Sequence, residues 1–207
     1  KMPAAQTSLE NCVAHNGSLI PIPGREVMVQ GWYQGGISVF DWTDPDRPFE
    51  IAFFDRGPLD ADRLISAGSW SVYWYNGLIV SSEIFRGLDI LELTPSPYLS
   101  QNEIDAARTV RFEELNAQEQ QRMVWPPSFA LARSYLDQLE RGRGLVPEKI
   151  ASYRSSLAAA ERLRGSRRAD ALTSLASEIE SSAAAAADGK RMRLLVEAVR
   201  QLAEASR

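Results

Sequence analysis

Two residue types on which enzyme chemistry often depends are almost missing. The 207-residue chain has one cysteine, Cys12, and one histidine, His15. A single cysteine excludes a disulfide within the chain and leaves the redox compartment open. Cys12 and His15 form a Cys-x-x-His pair, but structural zinc takes four ligands of this kind. No second cysteine or histidine exists to complete the set, so neither a metal nor a cofactor is expected. There is no run of 18 apolar residues, which excludes a membrane-spanning helix. Basic charge is also short: 23 Lys and Arg against 27 Asp and Glu leave a net charge of −4. A nucleic-acid binder needs a basic stripe to displace counterions from phosphate, so nucleic acid is not an expected partner. Arg162, Arg164, Arg167 and Arg168 do cluster, but around Gly165, where they read as solvated charge at a connection between helices.

Catalytic signatures are scarce in the same way. The chain has no Gly-x-Gly-x-x-Gly, no Gly-x-x-x-x-Gly-Lys, no His-Glu-x-x-His and no Gly-x-Ser-x-Gly. It therefore lacks the short motifs that cradle phosphate, ligate catalytic zinc or expose a nucleophilic serine. Asp41, Asp44 and Asp46 offer clustered oxygens of the kind calcium takes, without the glutamate that closes an EF-hand loop. Glu83 lies in an otherwise apolar run, where a carboxylate has to be hydrogen-bonded or face a channel to offset its desolvation. A glycosidase-like pair needs a second carboxylate at a defined separation, and none is identifiable.

What the chain does have is a repeat. Gly36-Ile37-Ser38-Val39-Phe40-Asp41-Trp42-Thr43-Asp44-Pro45 returns 51 positions later, without a gap, as Gly87-Leu88-Asp89-Ile90-Leu91-Glu92-Leu93-Thr94. Upstream, Val27-Met28-Val29 aligns with Leu78-Ile79-Val80. Repetition at this spacing predicts a propeller or solenoid. From Gly36 to Trp42 the side chains alternate between two faces, both largely apolar, as in a strand packed between neighbours. Gly35-Gly36 and Arg86-Gly87 supply turn residues able to take positive φ, and Thr43-Asp44-Pro45-Asp46 reads as a turn preset by Pro45. Strands are predicted at about 27–33, 36–42, 49–54, 71–75, 78–84 and 87–93, with an innermost strand near Cys12 to His15.

The first copy, Gly36 to Pro45 followed by Arg47-Pro48, resembles the LVIVD repeat, a β-propeller blade motif running roughly Gly-Leu-x-Ile-Val-Asp-Val-Ser-Asp-Pro-x-x-Pro. The second copy has Glu92 for the aspartate and Thr94-Pro95-Ser96 for the turn, as suits the last blade of an array. The wider segment from His15 to about Pro127 is similar to the C-terminal part of bacterial LVIVD repeat-containing proteins, including Gln34-Gly35-Gly36-Ile37-Ser38-Val39 and Leu99-Ser100-Gln101-Asn102-Glu103-Ile104-Asp105. The resemblance implies propeller blades. A propeller needs at least four, and only two are visible after Lys1-Met2-Pro3, so the expected partners are the remaining blades of a longer chain and a protein or cell-surface ligand. It also implies export, to an extracellular or periplasmic location, and a non-enzymatic binding or cell-surface interaction module. The alternative is a propeller hydrolase or lyase using channel-facing polar groups. The candidate binding residues are His15, Asn16 and Glu83, as groups facing a channel, and Trp32, Tyr33 and Trp70, whose rings give large contact area with a polar handle.

Composition divides the chain. Residues 1–146 hold 17 of the 18 aromatics, with 12 basic against 19 acidic side chains, whereas 147–207 have only Tyr153 and 11 basic against 8 acidic. Ser100-Gln101-Asn102-Glu103 has capping-box spacing and opens a short helix to about Arg108. From Ser128 the period changes to 3.6. Phe129, Ala132, Leu136 and Leu139 make one helical face, Ile150, Tyr153, Leu157 and Ala160 a second, Leu172, Leu175, Ala176, Ile179 and Ala183 a third, and Met192, Leu195, Val199 and Leu202 a fourth. Short breaks at Gly165-Ser166 and Asp188-Gly189 favour antiparallel neighbours. The predicted organisation is two four-stranded antiparallel blades over 1–98, a helical connecting segment over 99–145, and an all-α bundle of three helices over 146–207.

Overall fold

The computed structural model describes residues 6–117, 119 and 121–207. They divide into a β unit, up to Leu99 together with Ala107–Met123, and a helical unit, Ser100–Ala106 together with Val124–Arg207.

The β unit contains two antiparallel sheets. The first has β1 (Gly17–Ile20), β2 (Val27–Gly31), β3 (Ile37–Asp41) and β4 (Phe49–Phe54) in that order; the second has β5 (Ser69–Tyr75), β6 (Leu78–Glu83) and β7 (Gly87–Leu91). The repeat reappears in the pairing. Met28↔Phe40, Val29↔Val39, Gln30↔Ser38 and Gly31↔Ile37 in the first hairpin become Ile79↔Leu91, Val80↔Ile90, Ser81↔Asp89 and Ser82↔Leu88 in the second, each shifted by the same 51 positions. Register in a hairpin is set by its turn. The equivalent turn glycines, Gly36 at φ 81° and Gly87 at φ 92°, both occupy the left-handed region that glycine enters without steric cost. Between β5 and β6 the two-residue turn Asn76-Gly77 has φ of 51° and 98°, the pattern of a type I′ hairpin.

Two strand expectations are corrected. The innermost strand is Gly17–Ile20, not Cys12–His15. Leu19 and Ile20 have β2 beside them over the whole register, whereas Val13 is exposed and the segment before β1 is tied to β2 only at Gly31, whose carbonyl accepts from His15 N–H at 3.0 Å and whose N–H donates to the Asn16 carbonyl at 2.9 Å. The second sheet has three strands instead of four. Positions 100–105, which would repeat β4, carry the capping box and enter helix α1 (Gln101–Thr109). There the Ser100 Oγ accepts from the Glu103 N–H at 3.2 Å and the Glu103 carboxylate accepts from the Ser100 N–H at 2.7 Å, so a local hydrogen-bonding choice ends the repeat.

The sheets pack on each other by unlike faces. One face of the first sheet carries Val27, Val29, Ile37 and Val39, all buried. It meets the face of the second sheet bearing Val72, Ser81, Glu83 and Asp89, with β5 against β1 and β2. An atom at the Cβ position of Gly31 would lie 3.6 Å from Val72 Cγ1, and the Arg56 guanidinium reaches across to the Asp89 carboxylate. Each of the large apolar side chains buried here stabilises the unit by about 1.5–3 kcal/mol. Arg25 and Asp41 are both buried and pair at 2.7 Å, and Arg25 also donates to the Tyr98 carbonyl at 2.9 Å. Beside β1, the free N–H groups of β5 are taken up by side chains: Val72 donates to Asn16 Oδ1 at 2.9 Å and Trp74 to Ser18 Oγ at 3.2 Å.

The helical unit consists of the first part of α1 with α2 (Phe129–Arg141), α3 (Pro147–Arg162), α4 (Gly165–Ser182) and α5 (Gly189–Glu204). Helix starts follow their chemistry: the Ser128 Oγ caps the Leu131 N–H, the Asp188 carboxylate caps the Arg191 N–H, and Pro147 occupies the first turn of α3, where its missing N–H costs nothing. Ala183–Ala185 form a short 3-10 turn, where the sequence suggests α-helix throughout Ala183 to Ala187. One core joins Leu131, Leu136 and Leu139 of α2 to Ile150, Tyr153 and Leu157 of α3 and to the buried faces of α4 and α5. The bundle therefore includes α2, although the composition break near 146 points to three helices alone. Glu103, fully buried, is neutralised by Arg141 from α2.

Candidate functional site

The β2–β3 turn sets the geometry of the aromatic candidates. Trp32 N–H donates to the Gly36 carbonyl at 2.9 Å and Gly35 N–H to the Trp32 carbonyl at 2.9 Å, closing a loop in which Tyr33 sits at φ 53°. A non-glycine residue in this region carries strain of about 1–3 kcal/mol and persists where its surroundings hold it. The hold is visible. Ser69 N–H donates to the Tyr33 carbonyl at 3.0 Å, and Gly68 approaches so closely that a Cβ there would lie 2.0 Å from the Tyr33 carbonyl carbon.

Held this way, Tyr33 meets His15 and Trp70. Ring centroids are 5.0 Å apart for His15 and Tyr33, 4.4 Å for His15 and Trp70, and 5.9 Å for Tyr33 and Trp70. The His15 Nδ1 bonds the Trp70 carbonyl, which orients the imidazole. The Trp70 side of the cluster faces solvent at 50% exposure, and His15 is exposed as well. The three rings come from the approach to β1, the β2–β3 turn and the start of β5, so both sheets contribute.

The other candidates lie elsewhere or are already occupied. Asn16 spends its side-chain oxygen on Val72, and its backbone carbonyl accepts from Gly31 N–H at 2.9 Å, so it joins the two sheets. Trp32 turns to the opposite face of the first sheet, 6.2 Å from Phe40. Glu83 is buried with both oxygens committed: Oε1 accepts from Gly68 N–H at 2.7 Å, and Oε2 accepts from Phe85 N–H at 2.8 Å and from Arg86 N–H. It fixes the β6–β7 turn and the Gly68 segment on which Tyr33 rests. Cys12 donates to Gln6, and its pKa is pushed up by partial desolvation and then by the Glu10 and Asp55 carboxylates, which keeps the thiol neutral. Among the described residues no group of three or more His, Cys, Asp or Glu side chains is placed to hold a metal ion. Asp41, one of the three clustered aspartates, is instead tied to Thr43 and Arg25.

One positioning residue has no signature in the sequence. Gln34, 3% exposed, donates through Nε2 to Asn11 Oδ1 at 2.8 Å and the Ile65 carbonyl at 2.6 Å, and its Oε1 accepts from Leu59 N–H at 2.6 Å. It pins the long β4–β5 connection behind the Tyr33 turn. A glutamine in a turn looks solvated until the distant segment is known.

The space around the cluster is shallow. The recess bounded by Tyr33, Gln34, Gly68, Glu83 and Arg86 has a volume of about 20 Å³, room for one water molecule. A cavity of about 170 Å³ lies between Leu19, Met28, Tyr73 and Trp74 and the segment that carries Phe112, and it holds no paired acid and base. The chemistry on offer is surface contact by rings and hydrogen-bonding tips. No helix among the described residues is long and apolar enough to cross a membrane. No family model matches the chain, nor does any curated protein or any solved structure.

Proposed function

We propose that the two sheets are adjacent blades of an LVIVD-type β-propeller and that the chain is a non-enzymatic binding module, exported to the periplasm or cell surface, which contacts a protein or cell-surface ligand through His15, Tyr33 and Trp70. The observation that carries the reading is the repeated hairpin: same 51-residue shift, same register and same left-handed turn glycine, in two sheets stacked by unlike faces. The strained Tyr33 and the half-exposed Trp70 support the placement of the contact surface. Against the hydrolase or lyase alternative stands Glu83, whose oxygens already serve three backbone amides.

The test is a screen of the purified chain against arrayed glycans and cell-surface proteins, with Trp70→Ala and His15→Gln beside the wild type. The reading expects a retained ligand whose affinity falls at least tenfold in Trp70→Ala at unchanged circular dichroism, as for a central aromatic contact, and stays within a few-fold in His15→Gln. Turnover of an ester or glycoside panel that disappears in His15→Gln would refute it.

A further inference from the structure

The helical unit carries a strained residue of its own, at the end of α2. Gly144 N–H donates to the Leu139 carbonyl at 2.7 Å and Arg143 N–H to the Glu140 carbonyl at 3.1 Å, the paired bonds of a Schellman motif. That motif puts its left-handed residue where Arg143 stands, at φ 52°, a conformation that glycine takes without steric cost. Glycines flank the position on both sides, yet arginine holds it. Outliers of this kind cluster at ligand clamps and active sites. Next to it, Gly144 is buried, and a Cβ there would lie 2.8 Å from Asp188 Cβ. Asp188 N–H donates to the Gly144 carbonyl at 3.3 Å, so the α2–α3 and α4–α5 connections are held side by side.

Those connections border a cavity of about 770 Å³, against about 20 Å³ for the recess beside Tyr33. Ligand pockets occupy roughly 300–1,000 Å³. Leu145, Val146, Pro147, Ile150 and Ala186 give it an apolar lining. Its polar groups are largely spent. Ser182 Oγ donates to the Glu178 carbonyl at 3.2 Å and accepts from the Tyr153 hydroxyl at 2.9 Å, while the Glu140 carboxylate accepts from Arg154 at 3.0 and 2.7 Å. Lys149 reaches Glu178 at 3.4 Å and lies over the Tyr153 ring. Among the described residues no carboxylate pairs with Arg143, which borders the same cavity. We propose that the cavity binds a small molecule with an apolar body and one carboxylate head, the body against Leu145, Val146 and Ile150 and the head on the Arg143 guanidinium. The walls reward apolar atoms, and the unspent charge at the rim is positive. A guanidinium also matches a carboxylate with two parallel hydrogen bonds, which fixes the head in orientation as well as in place.

Isothermal titration of the whole chain with dodecanoate, kept below its micelle concentration, tests the proposal, with dodecyltrimethylammonium as the cationic counterpart. Wild type is expected to bind dodecanoate saturably and the cation about tenfold or more less tightly. Two variants separate binding from folding. Arg143→Gly relieves the left-handed strain while removing the partner of the head. Val146→Asp gives α3 the side-chain cap that valine cannot supply, while setting a like charge beside the head at a position 56% exposed. Each is expected to lose affinity for dodecanoate about tenfold or more. The melting temperature of each by circular dichroism should be unchanged or raised, an opposition of signs that a purely structural role does not give. Amide chemical shifts on adding dodecanoate should move at Gly144, Val146 and Ser182. Absence of saturable binding, equal affinity for the two head groups, or wild-type affinity in Arg143→Gly overturns the proposal. Shifts confined to the exposed aromatic residues of the β unit overturn it as well, because the ligand then sits elsewhere.

Discussion

Replacing the two equivalent turn glycines by alanine should give unequal losses. Both residues have positive φ, so each substitution incurs the left-handed penalty of roughly 1–2 kcal/mol. Their surroundings differ. A Cβ on Gly87 meets nothing within 4 Å, whereas one on Gly36 would lie 2.3 Å from the Phe54 carbonyl oxygen and 3.0 Å from Asp55 Cα. Relieving that overlap means moving the end of β4 against a packed sheet, an overpacking cost of about 1–3 kcal/mol. The expected losses are therefore about 1–2 kcal/mol for Gly87→Ala and about 2–5 kcal/mol for Gly36→Ala. Trp32, Trp42, Trp70 and Trp74 all lie in the β unit, so tryptophan fluorescence during urea unfolding reports mainly on it. With a slope of about 1.5 kcal/mol per molar urea, the midpoint should fall by about 1 M in the first variant and by about 1.3–3.3 M in the second. Equal shifts, or a larger one for Gly87→Ala, would show that the turns do not sit as described and that the repeat does not impose a common backbone.

Two further expectations follow from the fold. Burial alone would raise the pKa of Asp41, but hydrogen bonds from Thr43 and then Arg25 outweigh it and hold the carboxyl below its ordinary value. A depressed folded-state value means that the stabilisation is present above the unfolded pKa, about 3.9, and is lost as pH falls through the folded value. The urea midpoint should therefore decline less steeply below about pH 4 in Asp41→Asn than in wild type, and parallel declines would exclude the linkage. Because α2 contributes Leu131, Tyr135, Leu136 and Leu139 to the helical core, a fragment of residues 124–207 should melt cooperatively by circular dichroism, whereas 146–207 should melt early and broadly; indistinguishable melts would remove α2 from that core.

The helices and hairpins were legible because their signals are local. Periods of 3.6, capping residues and turn glycines depend on neighbours a few positions away, and the 51-residue shift carries the hairpin register with it. What escaped depends on partners far along the chain. Gly17–Ile20 is too short to have a period of its own, and Pro21 and Pro23 beside it read as loop, so only β2 reveals it as a strand. Asn16 and Glu83 looked like ligand groups because a polar residue near a strand gives no hint of whether a distant amide already holds it. Of the six candidate residues, His15, Tyr33 and Trp70 come together as a surface, Asn16 and Glu83 are structural, and Trp32 lies on another face.

The path of the chain between the units bears on how the protein is made. The polypeptide leaves the β unit at Ser100, returns to it at Ala107 and leaves again at Val124, so no single peptide bond separates the two. During synthesis Ala106 emerges about 100 residues before the end of α5, whose side chains share its core. At roughly 5–20 residues per second that interval is on the order of 5–20 s. Throughout it the β unit can close around Ala107–Met123 while Ala106 stays without its core, at the end of a nascent stretch of helix tethered at its C-terminal end to a finished neighbour and waiting for its own bundle to be translated.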